Sequence, residues 1–391
     1  MKFLHTSDWH LGRQFHNVSL IDDQRVVLDQ MVEYMAQHPV DALVIAGDIY
    51  DRSVPPTAAI ELLNETLNRV CQELNTPVIL IPGNHDGAQR LGFGSTHMKG
   101  AGLHIISDFQ QMLEPVVLSS DQAGEVAFYG MPFNDPETVR HYFNHTFQQQ
   151  DEATPEAQKP IATHDDAHAA LVGLITPHLN SSQRHVLISH CFVDGAISSE
   201  SERPLSIGGS ECVSHEHFVH FDYVALGHLH QPQYKGEAHI RYSGSLMKYS
   251  FSEQHHKKGM TLVELDRNGL VATTHIPLQA PHEMRIIEGE LEAILAAGKT
   301  DPCAHDYLLV RLTDQHAILN PMEKLRTVYP NVLHLEKPGM LVGVEQSMAQ
   351  ATLSRSEVDM FRDFFKEAQG NELTQAQESA VSAIIKQLSQ Q

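Results

Sequence analysis

Cysteine and long apolar runs are scarce in this 391-residue chain. The four cysteines (Cys71, Cys191, Cys212 and Cys303) are widely separated and form no CxxC pair, so we expect neither a disulfide framework nor a zinc ribbon. No apolar run approaches the roughly 20 residues that a membrane-spanning helix needs, and the chain opens on a strand-like run rather than a basic and apolar leader. We therefore expect a cytoplasmic protein without a membrane segment.

Positive charge is also in short supply. Lys and Arg total 27 against 49 Asp and Glu, a formal charge of −22, whereas a free-standing DNA-binding protein usually has a basic face. Bound divalent ions would cancel several acids, and a subunit of a larger assembly can leave phosphate binding to its partner. The local basic positions are more typical of solvated surface than of DNA contacts: Arg13, Arg52, Arg90, Lys99 and the run His255-His256-Lys257-Lys258.

A phosphate-binding loop of the GxxxxGKS/T kind is missing, so ATP hydrolysis would have to come from a partner. What the chain does have is enough hydrophobic sequence, 41%, to build a core, and a length that predicts two or three domains.

Short apolar runs without alternation predict strands that are buried on both faces, at residues 1–6, 42–46, 78–82, 185–189 and 223–226. Stretches with helical spacing at 26–35 and 58–70 separate the first three runs. This alternation predicts a layered α/β domain, in which ligands bind at the carboxyl ends of the strands.

A short polar signature closes each of the five runs. In chain order the signatures are Asp8-Trp9-His10, Gly47-Asp48-Ile49-Tyr50-Asp51, Gly83-Asn84-His85-Asp86, Ser189-His190 and Gly227-His228-Leu229-His230. One signature alone would be weak evidence, because DxH and GxH occur by chance in chains of this size. All five, in this order and each after a predicted strand, indicate one site that is assembled from distant parts of the chain.

Metal ligation is the chemistry that these residue types share. The candidate ligands are Asp8, His10, Asp48, Asn84, His190, His228 and His230. They are too many for one ion that must also hold water and substrate, so we predict two ions bridged by Asp48. We assign Asp8, His10, Asp48 and His230 to one ion, and Asp48, Asn84, His190 and His228 to the other. Imidazole and carboxylate ligands without thiolate suit Mn²⁺, iron or Zn²⁺ better than copper.

Two divalent ions about 3.5 to 4 Å apart lower the pKa of a bridging water and clamp a phosphoryl group for in-line attack, so we expect hydrolysis of a phosphate ester. The leaving oxygen then needs a proton, and His85 beside Asn84 is the candidate donor. Asp51 and Asp86 are candidates to orient His85 or a metal-bound imidazole as hydrogen-bond acceptors.

The chain has 27 histidines, and a lone histidine in a loop is more often a surface residue than a ligand. We assign that default to the others, including His141, His145, His164, His168, His215, His217 and His220. The polar stretch from about residue 141 to 166 is predicted to be a long surface excursion.

The combination of DxH, GDxxD, GNHD, a later lone histidine and GHxH resembles the calcineurin-like metallophosphoesterases. The extended segments 5–12, 46–51, 82–86 and 225–230 look like the nucleases of double-strand-break repair within that superfamily. The likeness continues through 242–246, 249–253 and 257–259, which simple phosphatases of the superfamily are not expected to carry. It is specific over about residues 1–275 and looser beyond.

This resemblance implies a four-layer α/β/β/α sandwich over residues 1–278, a small α/β capping domain over 279–347 and C-terminal helices over 348–391. It places the family's ligands on the same seven residues and its proton donor on His85. It implies a Mn²⁺-dependent enzyme that trims duplex DNA ends from 3′ to 5′, opens hairpins and acts in DNA repair, recombination and replication. Archaeal relatives have a second active-site histidine where this chain has Asp51, so the role of that histidine does not transfer.

The end of the chain is the predicted partner surface. Residues 284–289, 291–297 and 307–312 predict a small α/β segment, and amphipathic helices are predicted at 357–366 and 378–388. The resemblance implies that these two helices bind the coiled coil of an ATPase subunit, within a heterotetramer that contains a homodimer of this chain. Packing against their own domain is the alternative.

Two other functions compete with the nuclease. A phosphatase or cyclic-nucleotide phosphodiesterase would use the same metals and His85, and a non-catalytic scaffold would have lost ligands. None of the seven is missing, and the segments after residue 280 and at 242–259 favour the nuclease.

Overall fold

The computed structural model describes residues 1–147, 160–202, 211–316 and 318–337, with positions 361, 374, 377–378 and 381. The predicted helices at 357–366 and 378–388 lie almost wholly outside the described residues. The helices are α1 Ile21–Gln37, α2 Thr57–Asn68, α3 Ala88–Leu91, α4 Ser95–Met98, α5 Pro136–Phe147, α6 His164–Ile175, α7 Leu291–Gly298 and α8 Pro321–Arg326. The strands are β1 Lys2–Thr6, β2 Gln14–Phe15, β3 Val18–Ser19, β4 Ala42–Ala46, β5 Val78–Ile81, β6 Leu103–Ile105, β7 Val116–Ser120, β8 Gly124–Met131, β9 Arg184–His190, β10 Phe192–Val193, β11 Cys212–Val213, β12 Tyr223–Gly227, β13 Gln233–Lys235, β14 Glu237–Tyr242, β15 Gly259–Asp266, β16 Gly269–Pro277, β17 Met284–Gly289, β18 Tyr307–Leu312 and β19 Val332–Glu336.

Two six-stranded sheets form the first part of the chain. The first has the order β16-β15-β1-β4-β5-β6, and the second has the order β13-β14-β12-β9-β8-β7. The central strands of each sheet are parallel, with β1, β4, β5 and β6 in one and β8, β9, β12 and β14 in the other. All five predicted strands are therefore central parallel strands, which explains their apolar character on both faces.

The two sheets pack on a shared apolar core. Phe3, Val44 and Ile79 of the first sheet join Val186 and Ala225 of the second in one buried cluster. The opposite face of the second sheet is covered by α5 and α6, whose Val139 and Leu171 belong to a second cluster with Leu187 and Val224.

The opposite face of the first sheet carries Leu4, Leu43 and Leu80, all fully buried. The connections β1-α1-β4 and β4-α2-β5 supply helices that bury apolar side chains of their own, among them Val27 and Leu62. Helices therefore flank two stacked sheets, and the predicted α/β/β/α fold is confirmed.

The chain divides into two compact units, residues 1–286 with 305–308, and residues 287–304 with 309–391. The strands β17, β18 and β19 form a three-stranded sheet in that order. In the second unit α7 contacts α8, and the Leu291 N–H at the start of α7 donates to Asp314 at 2.9 Å. These elements confirm the predicted α/β segment, while the division at 278 and 347 stays a prediction.

The polar stretch at 141–166 differs from the predicted excursion at both of its ends. Residues up to Phe147 belong to α5, and α6 begins at His164 behind a capping box in which Thr163 accepts from the Asp166 N–H. His164 and His168 are buried rather than on the surface, because α6 turns both toward its buried side. Among the described residues, no helix is long and apolar enough to span a membrane.

Candidate metal centre

The predicted ligands all follow strands of the two stacked sheets. Asp8, Asp48 and Asn84 come just after β1, β4 and β5 of the first sheet, whereas His190 ends β9 and His228 and His230 follow β12 of the second. The first two loops are joined directly, since the Asp8 N–H donates to the Gly47 carbonyl at 3.1 Å and the His10 N–H to the Asp48 carbonyl at 2.9 Å. The carboxyl ends of both parallel sheets thus contribute to one site.

Four of the candidate ligands have a left-handed backbone. The φ angles are 54° at Asp8, 45° at His10, 50° at Asp48 and 102° at His228. Positive φ is uncommon for residues other than glycine, and such strain concentrates at functional sites. The loops therefore hold these side chains in directions that an ordinary strand end would not give.

Two signature glycines allow the close approach of the loops. A Cβ on Gly227 would lie 1.8 Å from the Ala46 carbonyl oxygen, and a Cβ on Gly83 would lie 2.2 Å from Asp48 Oδ1. No side chain fits at either position without moving backbone or a candidate ligand. The glycines of GHLH and GNHD are thus explained by packing between loops.

The first group of candidate ligands comprises Asp8, His10 and His230, all buried, whose ligand atoms lie within 4.8 Å of one another. His10 Nε2 is 3.0 Å from His230 Nε2 and 3.6 Å from Asp48 Oδ2. These side chains therefore lie close enough together to share one cation.

The second group centres on His190. Its Nε2 lies 3.0 Å from Asn84 Oδ1 and 3.5 Å from Asp48 Oδ2, and Asn84 Oδ1 is 3.2 Å from His228 Nδ1. Asp8 also lies within 4.8 Å of Asp48 and His190, so it borders both groups. Asp48 contacts members of both groups, as a bridging carboxylate would.

The tautomer of His190 shows why a cation fits here. Its Nδ1–H donates to the Ala46 carbonyl at 2.9 Å, so the neutral ring presents a lone pair at Nε2. That lone pair faces two acceptor oxygens, from Asn84 and Asp48. Three acceptors that point at one place are mutually unfavourable unless a positive charge lies between them. The cluster is compatible with two divalent metal ions.

A proton on His190 would also supply positive charge between these acceptors. Burial disfavours a charged His190, but Asp48 and Asp8 outweigh burial and raise the pKa of His190 to about 9. Burial and the neighbouring His190 lower the pKa of His228 to about 3. A proton on His190 is the smallest cation that the group can hold, and a divalent ion that binds here has to displace it.

A family model described as calcineurin-like phosphoesterase matches residues 1–232, which include all seven candidate ligands. The chain belongs to the calcineurin-like phosphoesterase family. A second model, described as the C-terminal domain of a type 5 capsule protein repressor, matches residues 280–369 of this phosphoesterase.

A curated relative covers nearly the whole phosphoesterase. This protein from Staphylococcus epidermidis, named as the SbcD subunit of the nuclease SbcCD, is 33% identical over 386 residues, 98% of this chain and 98% of its own. The match confirms the resemblance to the SbcD-type nuclease subunit.

Solved structures are similar at lower identity. A dimetal phosphatase from Danio rerio is 12% identical, covers 71% of this chain and 99% of its own, and has a TM-score of 0.40. A Thermus thermophilus protein is 15% identical, covers 70% and 98%, and has a TM-score of 0.38.

The predicted proton donor borders the ligands of the phosphoesterase site. The His85 Nδ1–H donates to the Asp51 carbonyl at 2.8 Å, and Nε2 lies 4.0 Å from Asp48 Oδ2. The His85 N–H donates to Asp48 Oδ1 at 2.9 Å, so its backbone is tied to the Asp48 carboxylate. The free nitrogen of the ring therefore faces the metal centre.

The carboxylates of Asp51 and Asp86 have different kinds of partner. The Asp51 carboxylate lies 3.7 Å from His10 Nδ1 and pairs with Arg13 at 3.1 Å. The Asp86 carboxylate instead accepts backbone N–H groups of Ile49, Tyr50 and Gly83 at 2.9 to 3.0 Å, so it orients loops rather than an imidazole. Burial and the charge of Asp48 raise the pKa of Asp86 to about 7.

Three residues that were not predicted from the sequence lie behind His230. Ser201 Oγ lies 2.7 Å from His230 Nδ1, Glu253 Oε1 lies 3.4 Å from the same atom, and Glu202 accepts the His230 N–H at 2.8 Å. Glu253 could have been found from the sequence, because it lies in the segment 249–253 that carries the family likeness. No sequence pattern pointed to Ser201 or Glu202.

The basic residues that were predicted to lie on the surface differ in their burial. Arg52 is exposed and Arg90 donates to the Ser53 carbonyl, in keeping with surface residues. Lys258 is buried, contrary to its assignment to a solvated loop, because it pairs with Glu253 at 2.5 Å.

Proposed function

We propose that this phosphoesterase is a metal-dependent DNA nuclease, both a 3′ to 5′ double-strand exonuclease and an endonuclease that opens hairpins. The identity of 33% along 98% of a protein that is named as a nuclease subunit carries this proposal. The site supports it, since no candidate ligand is missing and all seven meet at one place. We assign the activity to DNA end processing in repair, recombination and replication.

The residue roles follow the geometry. Asp8, His10, Asp48 and His230 are proposed to hold one ion, and Asp48, Asn84, His190 and His228 the other, with Mn²⁺ as the metal. When bound, the ions supply an activated water and neutralise charge on the phosphoryl group. His85 holds a proton at Nε2 for the leaving oxygen, and its Nδ1–H bond to Asp51 fixes the ring for that transfer.

The partners follow the name of the relative, which is a subunit of a complex called SbcCD. We propose that residues 348–391 bind the coiled coil of an SbcC-type ATPase, and that residues 279–347 form a capping domain that helps to select DNA ends. Binding of the full chain to a purified SbcC-type subunit tests the first part. The loss of binding after truncation at residue 347 is expected, and unchanged binding would contradict it.

A second copy is the proposed occupant of an apolar groove beside α2, so that a homodimer lies within a heterotetramer. The groove measures about 390 Å³, and Ile60, Leu63, Phe93 and Met98 line it. The Phe93 side chain is 82% exposed, and such exposure of a large apolar side chain beside an apolar groove is unusual for a monomer. Sedimentation velocity should find a dimer that Phe93→Glu converts to a monomer. A wild-type monomer would exclude this interface.

Metal-dependent DNA degradation tests the central proposal. End-labelled linear duplex and hairpin DNA are incubated with the full chain, with Mn²⁺, Mg²⁺ or a chelator, with and without an SbcC-type subunit. We expect Mn²⁺ to support loss of duplex from the 3′ end and hairpin opening, and the chelator to stop both.

Parallel turnover of bis-p-nitrophenyl phosphate distinguishes the alternatives. Turnover of this small diester without DNA cleavage, even with the ATPase subunit present, would mean a small-molecule phosphodiesterase. No turnover of either substrate with Mn²⁺ bound would mean a non-catalytic scaffold.

A further inference from the structure

A buried ion pair lies directly behind the candidate ligand His230. Glu253 is fully buried and Lys258 is nearly so, and the two side chains pair at 2.5 Å. Burying two charges is costly and by itself adds little stability relative to apolar residues. The contacts of the pair indicate what it does instead.

Both members of the pair reach His230. Lys258 Nζ donates to the His230 carbonyl at 2.7 Å and to Ser245 Oγ at 2.8 Å. On the other side, the Ser201 hydroxyl donates to Glu253 Oε1 and lies 2.7 Å from His230 Nδ1. A chain of hydrogen bonds thus runs from the imidazole through a serine to a carboxylate held by a lysine.

The direction of this chain is set by Glu253. A carboxylate only accepts, so the single hydroxyl proton of Ser201 goes to Glu253. Ser201 Oγ must then accept from His230 Nδ1–H. The proton of a neutral His230 therefore resides on Nδ1, and the lone pair resides on Nε2, which faces His10 and Asp8.

We propose that Glu253 is a positioning residue that holds His230 in the tautomer that presents Nε2 to the metal pair. Lys258 holds the Glu253 carboxylate in place. Ser201 donates its proton to that carboxylate and therefore accepts the Nδ1–H of His230. This inference rests on the proposed function, because the ligand role of His230 is part of that function. Fixing the tautomer of a ligand histidine from behind is worth about 10- to 100-fold in metal affinity.

The variant Glu253→Gln should reverse the direction of the hydrogen bonds between residue 253, Ser201 and His230, and not only weaken them. Lys258 has only donors, so it takes the amide oxygen of the new side chain and leaves the NH₂ group facing Ser201. Ser201 then accepts from the amide and donates to His230 Nδ1, which moves the ring proton to Nε2. The double variant Glu253→Gln/Lys258→Met frees the amide to turn, so that its oxygen accepts from Ser201 again.

The test combines calorimetric Mn²⁺ titration with ¹⁵N NMR of histidine-labelled protein, which reports the His230 tautomer without metal. We expect two Mn²⁺ in the wild type, and an affinity about 10- to 100-fold lower at one of them in Glu253→Gln with the proton on Nε2. The double variant should restore most of the affinity and the original tautomer. Ser201→Ala keeps the ion pair and should also lower the affinity for one of the two Mn²⁺ ions. This variant tests the proposal even if Glu253→Gln does not fold.

Asp222→Asn is the matched control. Asp222 pairs with Arg184 at 3.1 Å and accepts the His185 N–H at 2.7 Å, so its loss removes a similar set of bonds without touching His230. It should leave Mn²⁺ affinity unchanged. Wild-type affinity and tautomer in both Glu253→Gln and Ser201→Ala would overturn the inference. A wild type that binds no Mn²⁺ would instead contradict the proposed function, and the NMR comparison would still decide whether Glu253 sets the tautomer.

Discussion

Replacing Asp48 by Asn should abolish binding of the metal pair and, with it, hydrolysis. Asp48 Oδ2 lies between His10 and His190, at 3.6 and 3.5 Å from their Nε2 atoms, and the variant removes the charge that both groups share. Changes behind a ligand cost about 10- to 100-fold in affinity, so loss of a bridging ligand should cost more than about 100-fold. Calorimetry with Mn²⁺ and the DNA degradation assay measure the two losses.

The variant is informative because the fold should persist. Asn keeps a side-chain oxygen that can accept the His85 N–H, and this hydrogen bond ties the two loops together. Asp41→Asn is the control, since Asp41 accepts the Lys2 N–H at 2.7 Å at the opposite end of the same strand β4. Retained binding of two Mn²⁺ in Asp48→Asn would exclude the bridging role.

Replacing His85 by Ala should slow DNA cleavage by about 10²- to 10⁴-fold, the usual contribution of a general acid. Metal binding should not change, because the bond from residue 85 to Asp48 comes from the backbone N–H. The loss should be much smaller on bis-p-nitrophenyl phosphate, since p-nitrophenolate leaves without a proton. Single-turnover rates on both substrates, with the Mn²⁺ content measured, check this result.

Equal losses on the two substrates would contradict the role of His85 as an acid. They would favour a ligand role instead, which the geometry allows because His10, Asp51 and His85 also present ligand atoms within 4.8 Å of one another. A lower Mn²⁺ content in His85→Ala would distinguish that case.

The sequence predicted the parts of this protein that depend on short stretches of chain. Strands such as β4 and β9 follow from apolar runs that are buried on both faces, and α1 follows from helical spacing. Because parallel strands place their carboxyl ends at one edge, polar residues after five such strands were expected to meet. This is why the candidate ligands could be named before their distances were known.

Only the tertiary structure decided which side chains lie behind those ligands. Glu253 and Ser201 meet at His230 although 52 residues separate them, and the pairing of Lys258 with Glu253 places a lysine from a polar run in the interior. Asp86 lies next to His85 in sequence, yet it accepts backbone N–H groups from two loops. Chain spacing determines which residues approach the site, but hydrogen bonding and burial depend on groups from distant segments, and these become neighbours only when both sheets are packed together.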